Sequence, residues 1–487
     1  MPPPYEAVIG LEIHAQLLTA SKIFCACSTA FGADPNTHVC PVCLGLPGAL
    51  PVLNHAAVDF AIRAALALGC TIQETSIFAR KNYFYPDLPK GYQISQYERP
   101  LATGGLVAAK SDYWSPDYDI RITRIHMEED AGKLIHEGFP DSDRRSYVDL
   151  NRAGTPLVEI VTEPDFRTAK DAAQFFGYLR ELLVSIGVND GNMEEGSLRC
   201  DANVSVRSRG SATLGTKAEI KNLNSFRFLE ESIGYEIERQ ADVIESGARV
   251  IQETRLWDTE AKRTVSMRSK EEAHDYRYFP EPDLPPLIVP QARVEAVRSS
   301  MGELPAAWRR RLVDAYQLTM PEAVMLTQLR PSLGRYFEDT VRAGADTRTA
   351  KNWAIGVVSA KMNDLGLDEV GPLAERVPPG RLAGLLALVE NGTISGSIAK
   401  DVFEKMFASG RTAAEIVAAE GLTQIDDESA IVALISSVTA AHADAVAQYR
   451  SGKTAPFGFL VGQVMKAAAG KANPKRVNEL LKRALDG

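Results

Sequence analysis

The stretch Val8-Ile9-Gly10-Leu11-Glu12-Ile13-His14-Ala15-Gln16-Leu17 alternates apolar and polar residues from Leu11 onward. Side chains alternate sides along a strand. Leu11, Ile13, Ala15 and Leu17 therefore share one face, and Glu12, His14 and Gln16 share the other. A carboxylate beside an imidazole on a rigid strand suits a hard cation or a phosphate. The same period returns at 155–162, where Leu157, Glu159 and Val161 oppose Val158 and Ile160. It is cleanest at 197–207. There Leu198, Cys200, Ala202, Val204 and Val206 face one way, and Arg199, Asp201, Asn203, Ser205 and Arg207 the other. Strands of this kind build antiparallel sheets with one dry side and one polar side.

Helices are expected at 169–186 and 226–246, the second with Asn224 or Ser225 as N-cap and Gly247 as stop. The expected fold class is α+β. Residues 1–293 form a large N-terminal cradle domain on a mainly antiparallel sheet. The segment FPEPDLPPLIVP, residues 279–290, holds five prolines and reads as an extended linker. Helix formers dominate beyond it. Residues 294–410 read as an all-α linker domain, with three-and-four spacing at Leu382, Leu385, Leu386 and Leu388. Residues 411–487 read as a small helical tail domain, closing with a basic helix from Asn473-Pro474 to Leu485. Three domains fit a chain of 487 residues.

Cys25-x-Cys27, twelve further residues, then Cys40-x-x-Cys43 has the spacing of two thiolate knuckles closing on one tetrahedral zinc. Four protein ligands fill the coordination shell, so the ion is expected to be structural. The competing reading is four small buried hydrophobes. Acidic residues recur in glycine-bounded, strand-like contexts: Glu128, Glu129 and Asp130 before Gly132, Glu194, Glu195 and Asp201, then Glu159, then Glu219. Several strands each giving one carboxylate make a cradle for magnesium and phosphates. Aromatic and basic residues interleave at 80–100, as in a nucleotide pocket or a rigid loop packed on the sheet. Ser451-Gly452-Lys453-Thr454 imitates the end of a P-loop, but Ala447 occupies the position of its first glycine.

Hydrophobic residues make up 45% and charged residues 24%, ordinary for a globular chain. The net charge of −9 argues against indiscriminate nucleic-acid binding. Residues 451–487 depart from it, with seven basic residues against two acidic ones, which suits a phosphate backbone. Neither a signal peptide nor a membrane span is read, and clustered cysteines suit a reducing compartment. The expected location is cytoplasmic.

VIGLEIHAQL, RKNYFYPDLPKGYQISQ, HMEEDAGK, VDLNRAGTPLVEIVTEPD, MEEGSLRCDANVS, KAEIKNLNSF and DYRYFPEPDLPPL run in order through the first 290 residues. Together they resemble the GatB/GatE family of the aspartyl/glutamyl-tRNA amidotransferases. The helical remainder is similar to that family's helical linker and YqeY-like tail, with FGFLVGQVMK and ANPKRVNELL as weaker motifs. The resemblance implies a ligase that amidates misacylated Glu-tRNA(Gln) or Asp-tRNA(Asn) in two steps. ATP phosphorylates the side-chain carboxylate, and ammonia displaces the phosphate. The ammonia comes from glutamine hydrolysed in a partner amidase, the A component, and a small C component completes a heterotrimer. ATP and Mg2+ are the implied cofactors, beside structural Zn2+. Residue by residue, the resemblance implies Glu12, His14, Glu129, Glu159 and Asp201 as catalytic. Of these, Glu12, His14, Glu129 and Asp201 are the implied magnesium ligands. Glu129 ranks above Glu128 because the match favours the second glutamate. Lys81, Lys90 and Glu128 are the implied contacts of ATP, and Lys471, Lys475, Arg476, Lys482 and Arg483 those of the tRNA body. The four cysteines vary within the family, so zinc rests on their spacing here. The alternative reading is a non-catalytic tRNA-binding scaffold of the same complex.

Overall fold

The computed structural model describes residues 4–269, 276–328, 330–422, 428–468 and 471–486. It shows two compact units, Met1–Trp308 and Arg309–Gly487.

The first unit opens with β1 (Tyr5–Gln16), α1 (His55–Ala67), β2 (Thr71–Ile72), β3 (Thr75–Ser76), β4 (Phe78–Asn82) and β5 (Tyr92–Gln96). It continues with β6 (Ala102–Val107), β7 (Ile120–Glu129), β8 (Lys133–Ile135), β9 (Tyr147–Asp149), β10 (Pro156–Thr162) and α2 (Ala169–Ser185). Then come β11 (Leu198–Ser208), β12 (Ala218–Leu223), α3 (Phe226–Glu245), β13 (Glu253–Asp258) and β14 (Arg263–Ser269). It ends with β15 (Phe279–Pro280), β16 (Leu287–Ile288) and α4 (Gln291–Ser300). Nine of the strands form one sheet in the order β14-β13-β12-β11-β1-β10-β7-β6-β2. Its neighbours run antiparallel except β12 and β13.

β1 lies near the middle of this sheet, between β10 and β11. Its Leu11, Ile13, Ala15 and Leu17 are buried in one core with Phe175, Phe176, Leu179 and Leu183 of α2 and Leu229 and Ile233 of α3. From β11, Leu198, Cys200, Ala202 and Val204 join that core. Thr168 caps α2 by accepting a hydrogen bond from the Asp171 N–H. Ser225 is the N-cap of α3 without a side-chain cap bond, and Gly247 follows its end at φ +79°. Helices thus cover the dry side of the sheet, and the alternation leaves the other side polar.

The proline-rich segment is extended as expected, but it is no free linker. Phe279 and Pro280 pair with Arg80 and Ala79, while Leu287 and Ile288 pair with Ser76 and Thr75. Leu287 and Val289 are buried in the first unit's core, and Glu281 holds Arg80 through two hydrogen bonds of 2.7 and 2.8 Å. Proline fixes an extended backbone, and alternate apolar residues then dock it as a strap. α4 continues this docking with Val294 and Val297, so the first unit extends past residue 293.

The second unit is helical. Helix Pro379–Glu390 buries Leu382, Leu385 and Leu386, and helix Gly396–Ser409 stops at Gly410 in the left-handed region (φ +69°). Helices Glu428–Ala441, Ala455–Ala467 and Pro474–Asp486 share a core of Ile431, Ile435, Leu460, Val464, Val477 and Leu481. Ser451–Thr454 joins two helices, so no strand precedes it as a P-loop requires. Among the described residues no single helix is long and apolar enough to cross a membrane.

Candidate active site

Residues directly opposed in an antiparallel sheet project from the same face. His14 is opposed by Glu159 of β10 and by Arg199 of β11, and Glu159 is opposed in turn by His126 of β7. Glu128 follows His126 two residues on and shares its side. Register alone therefore gathers two imidazoles and two carboxylates on the polar face. His14 Nε2 lies 3.4 Å from Glu159 Oε2 and 3.7 Å from Glu128 Oε1. His126 Nε2 lies 3.3 Å from Glu159 Oε2 and 3.8 Å from Glu128 Oε2.

Burial alone would depress both imidazoles. Glu159 and Glu128 outweigh it, so His14 is raised above its ordinary value and His126 is raised to about 9. Burial likewise pushes the carboxyls up, but His126 and His14 hold Glu159 well below the usual carboxylate range. Glu128 is lowered for the same reason, against burial and the neighbouring Glu159. Opposite charge thus shifts each of the four groups toward its charged form, against burial.

One ligand atom each from His14, Glu128 and Glu159 lies within 4.8 Å of the others. Octahedral coordination at about 2.1 Å sets adjacent ligands roughly 3 Å apart and opposite ones roughly 4.2 Å apart, so this trio fits a small hard ion. Around it, Ser95 Oγ donates to Glu128 at 3.3 Å. Lys81 is deeply set near Tyr83 and Tyr276. Burial disfavours its ammonium, and Tyr278, Glu128 and Glu159 overcome that and raise it. Arg199 donates through Nη2 to Asp130 at 2.9 Å. Asn203 donates to Glu12 at 2.8 Å, and Lys221 Nζ stands 3.6 Å from both Asp201 and Glu219.

A second group is made of sulfur. The Sγ atoms of Cys25, Cys27, Cys40 and Cys43 all lie within 4.8 Å of one another, with Cys40 and Cys43 3.9 Å apart. A tetrahedral ion at about 2.3 Å from each sulfur places neighbours roughly 3.8 Å apart. All four are free thiols, and the Cys40 N–H donates to Cys43 Sγ at 3.1 Å. The donor set fits zinc.

Comparison with known sequences agrees with this architecture. The profile of the GatB/GatE catalytic domain matches residues 7–295, and that of a GatB domain matches residues 335–485. The chain belongs to the GatB/GatE family. The B component of the aspartyl/glutamyl-tRNA(Asn/Gln) amidotransferase of Geobacter sulfurreducens is 54% identical over 484 residues, covering 99% of this chain and 100% of that protein. The protein of the same name in Myxococcus xanthus is 53% identical over 482 residues, covering 99% and 98%. That of Anaeromyxobacter dehalogenans is 54% identical over 485 residues, covering 99% of each.

Within this GatB/GatE chain the sequence-expected residues divide. His14 and Glu159 are brought together. Glu12 and Asp201 oppose one another in register and stand further along the same face, with Asn203 and Lys221 as neighbours. The adjacent glutamates part company. Glu128 joins the trio, whereas Glu129 points to the other side of β7, forms an ion pair with Lys90 and accepts from the Ile94 N–H at 2.8 Å. Lys90 is thereby committed to Glu129, beside the cysteine loop, rather than to the trio. A Cβ at Gly45, which already has φ +67°, would overlap Lys90 Cγ. The 80–100 segment packs as β4 and β5 against the end of β7, with Tyr97 stacked on Tyr278 at 4.2 Å and Phe84 projecting into solvent.

His126 went unread in the sequence. Its signal, period two with Glu128, is scrambled by a bulge. Ile120 and Ile122 are buried at even positions but Ile125 and Met127 at odd ones, because β7 shifts register against β10 at Val161/Thr162. In the tail helix, Val477, Leu480, Leu481 and Leu485 are buried, leaving Lys475, Arg476, Lys482 and Arg483 exposed. Lys471 donates to the Gly421 carbonyl at 2.7 Å, and Arg476 and Arg483 each stand 3.5 Å from Glu428.

Proposed function

We propose that the chain is the catalytic, tRNA-handling component of a glutamine-hydrolysing aminoacyl-tRNA amidotransferase in the cytoplasm. It converts Glu-tRNA(Gln), Asp-tRNA(Asn) or both to the cognate amides with ATP. The observation that carries this reading is the His14–Glu128–Glu159 trio on the polar face of the sheet, in a member of this family.

A carboxylate resists ammonia because its leaving group would be oxide. In the first step a substrate carboxylate oxygen attacks the γ-phosphorus of ATP and ADP departs. In the second, ammonia attacks the acyl carbon, phosphate departs, and the new nitrogen gives up a proton. Magnesium held by His14, Glu128 and Glu159 would neutralise charge on the phosphoryl oxygens. The residues around it do the positioning. His126 fixes both carboxylates, Lys81 keeps a cation against the arriving phosphate, and Arg199 projects from the same face as His14, which it opposes in register. Glu12 and Asp201 bound the cradle beyond them. The basic residues Lys471, Lys475, Arg476, Lys482 and Arg483 hold the tRNA body. The partner amidase supplies ammonia, and the small third component clasps the complex.

The test is amidation supported by ammonium salt, assayed separately on Glu-tRNA(Gln) and Asp-tRNA(Asn) with the complex carrying Glu159→Gln. The expected result is an ATP-dependent reaction in wild type and its loss in the variant, with tRNA affinity retained. Undiminished amidation in the variant would instead make the chain a tRNA-binding scaffold.

A further inference from the structure

Lys22 is wholly inaccessible to solvent, one of the two largest such side chains among the described residues. A buried ammonium requires a compensating anion or it destabilises the fold. Among the described residues no carboxylate forms an ion pair with it. Its Nζ donates to two backbone carbonyls instead, His38 at 2.7 Å and Leu150 at 3.3 Å. Carbonyls solvate a cation; they do not neutralise it.

The neighbouring groups are sulfurs, and a cysteine becomes anionic as a metal ligand. Lys22 precedes the first knuckle, and its own N–H bonds to the Cys27 carbonyl at 2.9 Å. His38, which accepts from its Nζ, precedes the second knuckle. A Cβ built on Gly154 would meet the Lys22 stem at 3.4 Å and Cys43 Cβ at 3.6 Å, so the two side chains flank one point. Zinc carries two positive charges and four thiolates carry four negative ones, so a loaded centre is a dianion inside the protein. It needs a cation as much as Lys22 needs an anion.

We propose that Lys22 is the counter-cation of the four-cysteine centre. It neutralises part of the zinc-tetrathiolate charge and clamps the second knuckle to the loop after β9. This inference stands apart from the amidation reading, because it concerns retention of the metal alone. Lys22→Met keeps the length of the stem and removes the charge; Lys22→Arg keeps the charge.

The measurement is zinc release from the full-length chain to a chromophoric chelator, with metal content and far-ultraviolet circular dichroism recorded on the same samples. Outer-shell partners of metal ligands commonly change affinity about 10–100-fold. Lys22→Met is expected to release zinc faster by that order, with Lys22→Arg closer to wild type. Release from folded Lys22→Met at the wild-type rate overturns the proposal, as does a wild-type chain that takes up no zinc. If Lys22→Met fails to fold, lysine acetylation of the wild-type chain decides. Lys22 should be protected in the zinc-loaded chain and become reactive after chelation, relative to exposed Lys110. Equal protection in both states overturns the proposal.

Discussion

Glu128 and Glu129 follow one another in the chain, yet the pleat of β7 sends them to opposite sides of the sheet. Glu128 meets His14, His126 and Ser95, while Glu129 meets Lys90 and the Ile94 amide. Chemistry follows from that parity. The role of His126 is the least visible from composition. Beyond a 3.4 Å contact with Arg124, it meets the two carboxylates that it orients. His126→Gln is therefore expected to weaken manganese binding, used as a spectroscopic probe, by about 10–100-fold without unfolding the chain. Unchanged binding in an electron paramagnetic resonance titration would leave His126 a bystander. Glu12, His14 and Glu159 were legible because β1 and β10 alternate without interruption at these positions. His126 and the choice of Glu128 were not, because the bulge in β7 switches the buried parity between Ile122 and Ile125.

At the scale of elements, the proline-rich strap explains how a short hairpin is held beside the trio. β4 carries Lys81 toward the cluster, and its neighbour Arg80 is gripped by Glu281 and Asp283 of the strap. Glu281 has no exposed side-chain surface, so removing its carboxylate takes away the buried partner of Arg80 and leaves it only the more exposed Asp283. Breaking a buried pair on one side costs about 3 kcal/mol. Glu281→Ala is expected to lower the urea unfolding free energy by that order; a loss of under about 1 kcal/mol would show that strand pairing alone retains the strap. Proline content announced an extended segment at 279–290. It did not announce docking, because burial of Leu287 and Val289 depends on partners distant in the chain, in β3, β4 and their surroundings. The helices were more legible, since an N-cap such as Ser225 and a stop such as Gly247 act within a few residues of themselves.

Across the whole molecule, the formal charge of −9 conceals an uneven distribution of charged groups. The first unit gathers the carboxylates and imidazoles of the sheet, and the second ends in an amphipathic helix with a basic outer face. Motif order identified the family, and the motifs on β1, β7, β10, β11 and β12 each lie on the one nine-stranded sheet. Phosphoryl chemistry is proposed to belong to the trio containing Glu128. It is tested most directly in the assembled amidotransferase complex, by measuring ammonium-supported, ATP-dependent amidation for Glu128→Gln and Glu129→Gln side by side. Glutamine hydrolysis by the partner amidase serves as the control for assembly. Loss of a metal-ligating carboxylate should reduce Glu128→Gln by about 100-fold or more, with Glu129→Gln retaining activity within about tenfold of wild type. The opposite order, with Glu128→Gln active and Glu129→Gln silent, would contradict it.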